Sequence, residues 1–109
     1  MNLVFVCSAN QLRSPTAEAV FCQYKGIDAI GCGTCHDAAT PISGDLILWA
    51  DIIFVMEKHH KNRLTKKFKP LLQGKRLICL DIADNYDFME PALIQLLTTK
   101  VSRYVNLLA

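Results

Sequence analysis

No stretch of the chain approaches the ~18 consecutive apolar residues that a membrane-spanning helix requires, so no membrane partner is expected. The first residues lack both a basic segment and a cleavage site after their short apolar run, and no signal peptide is expected. Linkers, internal repeats and low-complexity tracts are missing too. The 109 residues are therefore expected to form one domain, residues 1–109, because a second core would not fit. The five cysteines are an odd number, with Cys7 and Cys79 at expected strand ends. That usage argues for reduced thiols in a cytoplasmic protein rather than a disulfide framework.

What is present describes a folded chain: 51% hydrophobic and 20% charged residues exclude disorder as the default state. The net charge of +2 is small but uneven, since eight of the twelve Lys and Arg residues fall between Lys58 and Arg76. This basic segment 58–76 reads either as a solvated helix face or as a field that draws in an anionic substrate or nucleic acid.

Apolar runs rich in Val, Ile and Phe alternate with segments of helical period. Strands are expected at Leu3–Val6, Ile27–Gly31, Asp51–Met56 and Arg76–Leu80. Helices are expected from Pro15 to about Tyr24, from a Ser43 cap to about Ala50, and through the basic segment to about Phe68, ending at Pro70. A last helix starts at Pro91, with Leu93, Leu96, Leu97, Val101, Tyr104 and Leu108 as its apolar stripe. Strands apolar on both faces, alternating with helices, call for an α/β fold: a small doubly wound, four-stranded parallel sheet with helices on both faces. The expected strand order is flavodoxin-like, 2-1-3-4. Ligands of such sheets sit outside the carboxyl ends of the strands. Cys7, Glu57 and Asp84 all follow strands and so share that edge.

The segment LVFVCSANQLRSPTAEAVF (3–21) concentrates the chemistry. Ser8, Ala9, Asn10, Gln11 and Leu12 separate Cys7 from Arg13, curling from a strand into a helix N-terminus. Such a loop can turn successive N–H groups inward as a nest for a tetrahedral oxyanion, helped by the helix dipole. Arg13 can grip two phosphate oxygens as a fork that lysine cannot copy. The same positive surroundings favour thiolate over thiol, making Cys7 a candidate nucleophile. The loop lacks glycine, and Asn10 is best suited to a left-handed conformation there. Ser14 has two possible jobs: capping the helix ahead of Pro15, or stabilising the Cys7 thiolate. Phosphate-ester displacement also needs an acid for the departing oxygen. Asp81, Asp84, Asp87 and Glu57 are the candidates, and Asp84 in DIADNYDF can overhang the loop.

These residues resemble the low-molecular-weight protein tyrosine phosphatases, of which this chain looks like a short, divergent member. VCSANQLRSPTAEAVF matches that family's signature, in which Cys, Asn, Arg, Ser and Pro recur at these spacings. WADIIFVMEKHH resembles its third strand, and DIADNY its late acidic segment with the general acid and an aromatic residue. The resemblance implies a phosphatase-like domain over residues 1–109, in which Cys7 forms a phosphocysteine and Arg13 binds phosphate and the transition state. It further implies that Asn10 and Ser14 organise the loop and thiolate, that Tyr86 flanks the site, and that Asp84 acts as acid and then base. No metal or other cofactor is implied. The expected partner is a phosphorylated protein or a small aryl phosphate, with inorganic phosphate or sulfate fitting the loop.

The departures concern the substrate. Family members place an aromatic wall for the phosphotyrosine ring between Gly31 and Ser43, a stretch that here lacks any aromatic residue. Trp49 falls later, as an expected buried indole. A proline after the acid is Asn85 here, and His36 only approximates a histidine that supports the loop asparagine. Cys32, Cys35 and His36 lack a second ligand pair at zinc spacing. They also fall short of the redox pair of arsenate reductases on this fold, which lies later in the chain. Leu12 occupies the place of a second loop cysteine, so no disulfide forms within the loop. Other readings are an arsenate-reductase-like thiol enzyme, a phosphocysteine carrier, which would gain nothing from Arg13 or Asp84, and a nucleic-acid-binding module with a vestigial site.

Overall fold

A computed structural model describes residues 1–107. Its elements alternate: β1 (Asn2–Cys7), α1 (Arg13–Phe21), β2 (Asp28–Gly33), α2 (Gly44–Trp49), β3 (Ile52–Val55), α3 (Lys58–Leu72), β4 (Arg76–Cys79) and α4 (Pro91–Val101). The four strands form one sheet in the order β2-β1-β3-β4, every pair parallel. This is the doubly wound, flavodoxin-like arrangement expected from the alternation.

The position of β1 and β3 at the centre of the sheet explains why they are apolar from Leu3 and Ile52 onward. Successive side chains of β1 and β3 point to opposite faces, and helices cover both. Leu3, Phe5, Cys7, Phe54 and Met56 pack with Ala17 and Phe21 of α1 and Leu93 and Leu97 of α4. Val4, Val6, Ile53 and Val55 pack on the other face with Ile47 of α2 and Leu64 of α3. Phe5 stacks between Phe21 and Phe54, with ring centroids 5.2 and 5.3 Å away. The alternation also separates two thiols: Cys7 faces α1, whereas Cys32 of β2 is buried beneath α2 and α3.

Several boundaries differ from expectation for local reasons. α1 starts at Arg13, two residues before Pro15, because a proline in the first turn forgoes an N–H with no helical acceptor anyway. α3 runs past Pro70 to Leu72, but Phe68 leaves helical geometry (φ −122°, ψ 24°). The proline thus opens a new helical piece after a break. Ser43 does cap α2, its side chain accepting from Leu46 N at 3.3 Å. Trp49 is half-buried against the α2–α3 core. Tyr104 lies beyond α4, 40% exposed, with the Arg76 guanidinium 5.9 Å from its ring centroid. Leu108, the last residue of the expected stripe, lies outside the described residues. No described helix is long and apolar enough to cross a membrane.

Truncating the stacked centre is expected to be costly. Phe5→Ala should lower unfolding free energy by roughly 3–5 kcal/mol in urea denaturation.

Candidate active site

The loop after β1 is held by its carbonyls. Cys7 O accepts from Thr34 N at 2.9 Å, Ser8 O from Cys35 N at 3.0 Å, and Ala9 O from Ala39 N at 3.4 Å. Leu12 O accepts from Thr16 N at 3.1 Å and from Thr16 Oγ1 at 2.7 Å. In contrast, among the described residues the N–H groups of Ser8 to Leu12 take no backbone acceptor. Asn10 lies in the left-handed region at φ 57°, where its side chain is tolerated. The result is a curl in which four carbonyls are tied while, among the described residues, the amides of Ser8 to Leu12 have no backbone acceptor.

The loop borders a small cavity of about 80 Å³, lined by Cys7, Ser8, Ala9, Gln11, Leu12, Arg13 and Asp84. By water's share of about 30 Å³, it holds roughly two or three waters, the scale of one tetrahedral oxyanion. The α1 N-terminus, starting at Arg13, adds its positive dipole end.

Two glycines of β2 form the bed for this curl. A Cβ on Gly31 would lie 2.5 Å from Ser14 O, and one on Gly33 would collide with Ser8 O. Glycine inside a strand marks such close backbone approach, so Gly31-Cys32-Gly33 carried a legible signal. Glu18 of α1 secures the same strand, its Oε1 accepting from Gly31 N at 2.7 Å.

Ser14 does not cap α1; the cap position is Leu12. Ser14 Oγ instead lies 2.9 Å from Cys7 Sγ and donates to Asn10 Oδ1 at 2.6 Å. With that donation made, the thiol donates to Ser14 Oγ. Rotating the hydroxyl reverses this bond and aims its proton at the sulfur.

Arg13 is only 3% exposed and is anchored through one nitrogen. Its Nη1 donates to Glu57 Oε2 at 2.9 Å and to Ile82 O at 2.7 Å. Asp84 Oδ1 lies 3.7 Å from Nε, and its side chain is 63% exposed. Anchoring at Nη1 leaves Nε and Nη2 as the fork for a ligand. The hydrogen bond from Arg13, followed by one from His59, holds the Glu57 carboxyl below its usual value despite partial desolvation. Glu57, a candidate acid by sequence, therefore orients the arginine.

His60 completes the support. It is fully buried, and its Nδ1 accepts from Glu57 N at 3.0 Å. Burial, with the charges of His59 and Arg13, pushes it down from 6.5 to about 4. The neutral ring must then carry its proton on Nε2, which lies 2.9 Å from Ser8 Oγ. Ser8 Oγ accepts that proton, so its own hydroxyl is free to donate elsewhere.

Some sequence candidates lie elsewhere. Asp81 neighbours Cys79 Sγ, 3.4 Å from its Oδ1, and Asp87 N pairs with Glu90. Neither lines the cavity; of the acidic candidates only Asp84 does. Tyr86 does not line that cavity but a separate groove with Ala92, Gln95, Leu96 and Thr99, because the turn carries it toward α4. His36 is exposed, and the Asn10 side chain pairs with Ser14 instead. Cys32 is a core thiol pushed up to about 12 by burial. Among the described residues, only Glu57, His59 and His60 bring three ligand atoms within 4.8 Å. Both His60 nitrogens are already committed there, so this set serves Arg13 and Ser8.

No protein-family model and no curated protein matches the sequence. Solved structures match well. The tyrosine phosphatase Wzb from Escherichia coli K30, in complex with phosphate, superposes with a TM-score of 0.75 at 20% identity, covering 99% of this chain and 98% of that one. This chain has the fold of the low-molecular-weight tyrosine phosphatases. The tyrosine phosphatase AmsI from Erwinia amylovora matches with a TM-score of 0.75 at 21% identity over 96% and 91% of the two chains. The YwlE arginine phosphatase from Geobacillus stearothermophilus gives 0.74 at 21% identity over 94% and 88%.

Two outcomes follow from this geometry. Gly33→Ala should displace the loop and lower affinity for inorganic phosphate at least tenfold, measured by calorimetry. The unfolded chain protonates His60 near 6.5 and the folded chain near 4, so the unfolded state binds more protons between those values. Stability should therefore fall as pH drops from about 6.5 toward 4, by roughly 3 kcal/mol from this group. Glu57 adds to the loss below its usual carboxylate range, as its bond to Arg13 breaks. His60→Gln should flatten the upper part of that slope in urea titrations at stepped pH.

Proposed function

We propose that this chain is a cysteine-dependent phosphomonoesterase acting on phosphotyrosine-like aryl phosphates, working as a single domain in the cytoplasm. The observation that carries the reading is the loop of unpaired amides closed by Cys7 at one end and Arg13 at the other. Such a cavity complements three oxygens of a tetrahedral phosphoryl group, and its charge suits the additional negative charge of a transition state.

In this reading Cys7 gives its proton to solvent as substrate binds, and the thiolate Sγ attacks phosphorus in line with the ester oxygen. The S–P bond forms as the P–O ester bond breaks, and Asp84 gives its proton to the departing oxygen. The Ser8 to Leu12 amides hold the equatorial oxygens with Arg13 Nε and Nη2, while Glu57 and Ile82 O keep the guanidinium in place. The Ser8 hydroxyl, released by His60, donates to one of those oxygens. In the second step Asp84 takes a proton from water, which attacks phosphorus and expels Cys7 as thiolate. Ser14 then turns its hydroxyl to the leaving sulfur. Asn10 fixes the curl through its left-handed backbone and its bond to Ser14.

The phosphate-bound Wzb supports a phosphate or sulfate ion as a ligand of this loop. Hydrolysis of p-nitrophenyl phosphate tests the reading. Cys7→Ser should abolish turnover, and Asp84→Ala should lower kcat by roughly 10²–10⁴-fold. Retained activity in Cys7→Ser would refute the mechanism, and a stable, unhydrolysed phosphocysteine in the unmodified protein would indicate a carrier instead.

A further inference from the structure

Beside the cradle runs a groove of about 500 Å³ between the segment after β2 and the middle of α3. Ile42, Leu64 and Phe68 make it apolar, while Arg63, Lys66 and Lys67 supply its cations. Among the described residues none of these three cations pairs with a carboxylate. Thr34 also lines the groove, and its Oγ1 is the single buried side-chain polar atom without a partner among the described residues. A buried hydroxyl left unpaired is costly, so a ligand atom bonded there would be favoured.

The groove adjoins the candidate site through two contacts. Thr34 N holds Cys7 O at 2.9 Å. Leu64 follows His60, the residue against Ser8, by one turn of α3, about 6 Å along the axis. We propose that this groove binds the substrate polypeptide beside its phosphorylated residue, taking one apolar side chain flanked by acidic residues. The proposal deepens the phosphatase reading and rests on it. An apolar floor rimmed by unpaired cations complements that chemistry. Residues 64–68 lie about 6–12 Å along α3 from His60. About two to four extended residues span that distance, which sets the position of the acidic–apolar element. Nucleic acid fits less well. Phe68, the only aromatic ring among the described residues of the groove, is half-buried against the core, with Lys67 Nζ 5.4 Å from its centroid, so no open stacking platform remains.

The test compares two phosphotyrosine peptides. One carries Glu-Leu-Glu centred three residues from the phosphorylated residue, and the other Gly-Ser-Gly at the same place. The acidic–apolar peptide should have at least tenfold higher kcat/KM, through lower KM. Lys66→Gln/Lys67→Gln should remove most of that preference while p-nitrophenyl phosphate turnover stays unchanged. Equal kcat/KM values, or a preference that survives the double substitution, would overturn the proposal. Fluorescence anisotropy of the unphosphorylated acidic–apolar peptide separates the two readings. Salt-sensitive binding lost in the double variant supports the groove even where no phosphopeptide is hydrolysed, which would remove only the phosphatase reading. A single-stranded RNA oligonucleotide that binds in place of the peptide would overturn it.

Discussion

The site depends on a close approach of backbones. Ser8 O and Ser14 O lie where side chains on Gly33 and Gly31 would have to be, so the loop can sink onto β2. That contact lets the 34–39 segment bond the carbonyls of Cys7, Ser8 and Ala9. With those carbonyls tied, the loop amides are left without backbone acceptors among the described residues. In the proposed reading, residues of the loop therefore need no special side chains to present amides to an anion, apart from Asn10 at its reversal. Two missing side chains on β2 thus build the cradle as surely as the residues within it.

Polar groups behind the loop hold Arg13 and Ser8 in fixed orientations. Glu57 and Ile82 O anchor one end of the Arg13 guanidinium and leave the other for ligand. His60, bonded to the backbone that starts α3, settles which atom of Ser8 carries a free proton. Glu57 follows β3 by two residues, and β1, its neighbour in the sheet, ends at Cys7, so the central strand pair positions the thiol and the arginine's anchor together. The same supports make the fold sensitive to acid, since Glu57 and His60 each gain protons on unfolding.

Much of this was legible in sequence. β1 from Leu3 onward and β3 throughout are apolar because helices cover both faces, and that pattern points to a parallel sheet. Cys7, Asn10, Arg13 and Ser14 stand at spacings that only a strand–loop–helix turn makes meaningful. Other features were not legible because they join residues far apart in the chain. Ser8 and His60 are 52 positions apart, and Arg13 and Glu57 are 44. Neither His60 nor Glu57 differs locally from an ordinary helix-start residue. Tyr86 follows Asp84 closely in the chain, yet it lines a groove against α4 rather than the cavity.

The account's central claim is that free amides of residues 8 to 12 form a tetrahedral oxyanion site closed by Arg13. The most direct measurement is a backbone amide NMR titration with inorganic phosphate at neutral pH. The account predicts saturable shifts for Ser8, Ala9, Asn10, Gln11 and Leu12, abolished by Arg13→Ala in a chain whose remaining spectrum stays folded. Shifts confined to the basic residues of α3, with the loop amides unmoved, would contradict it.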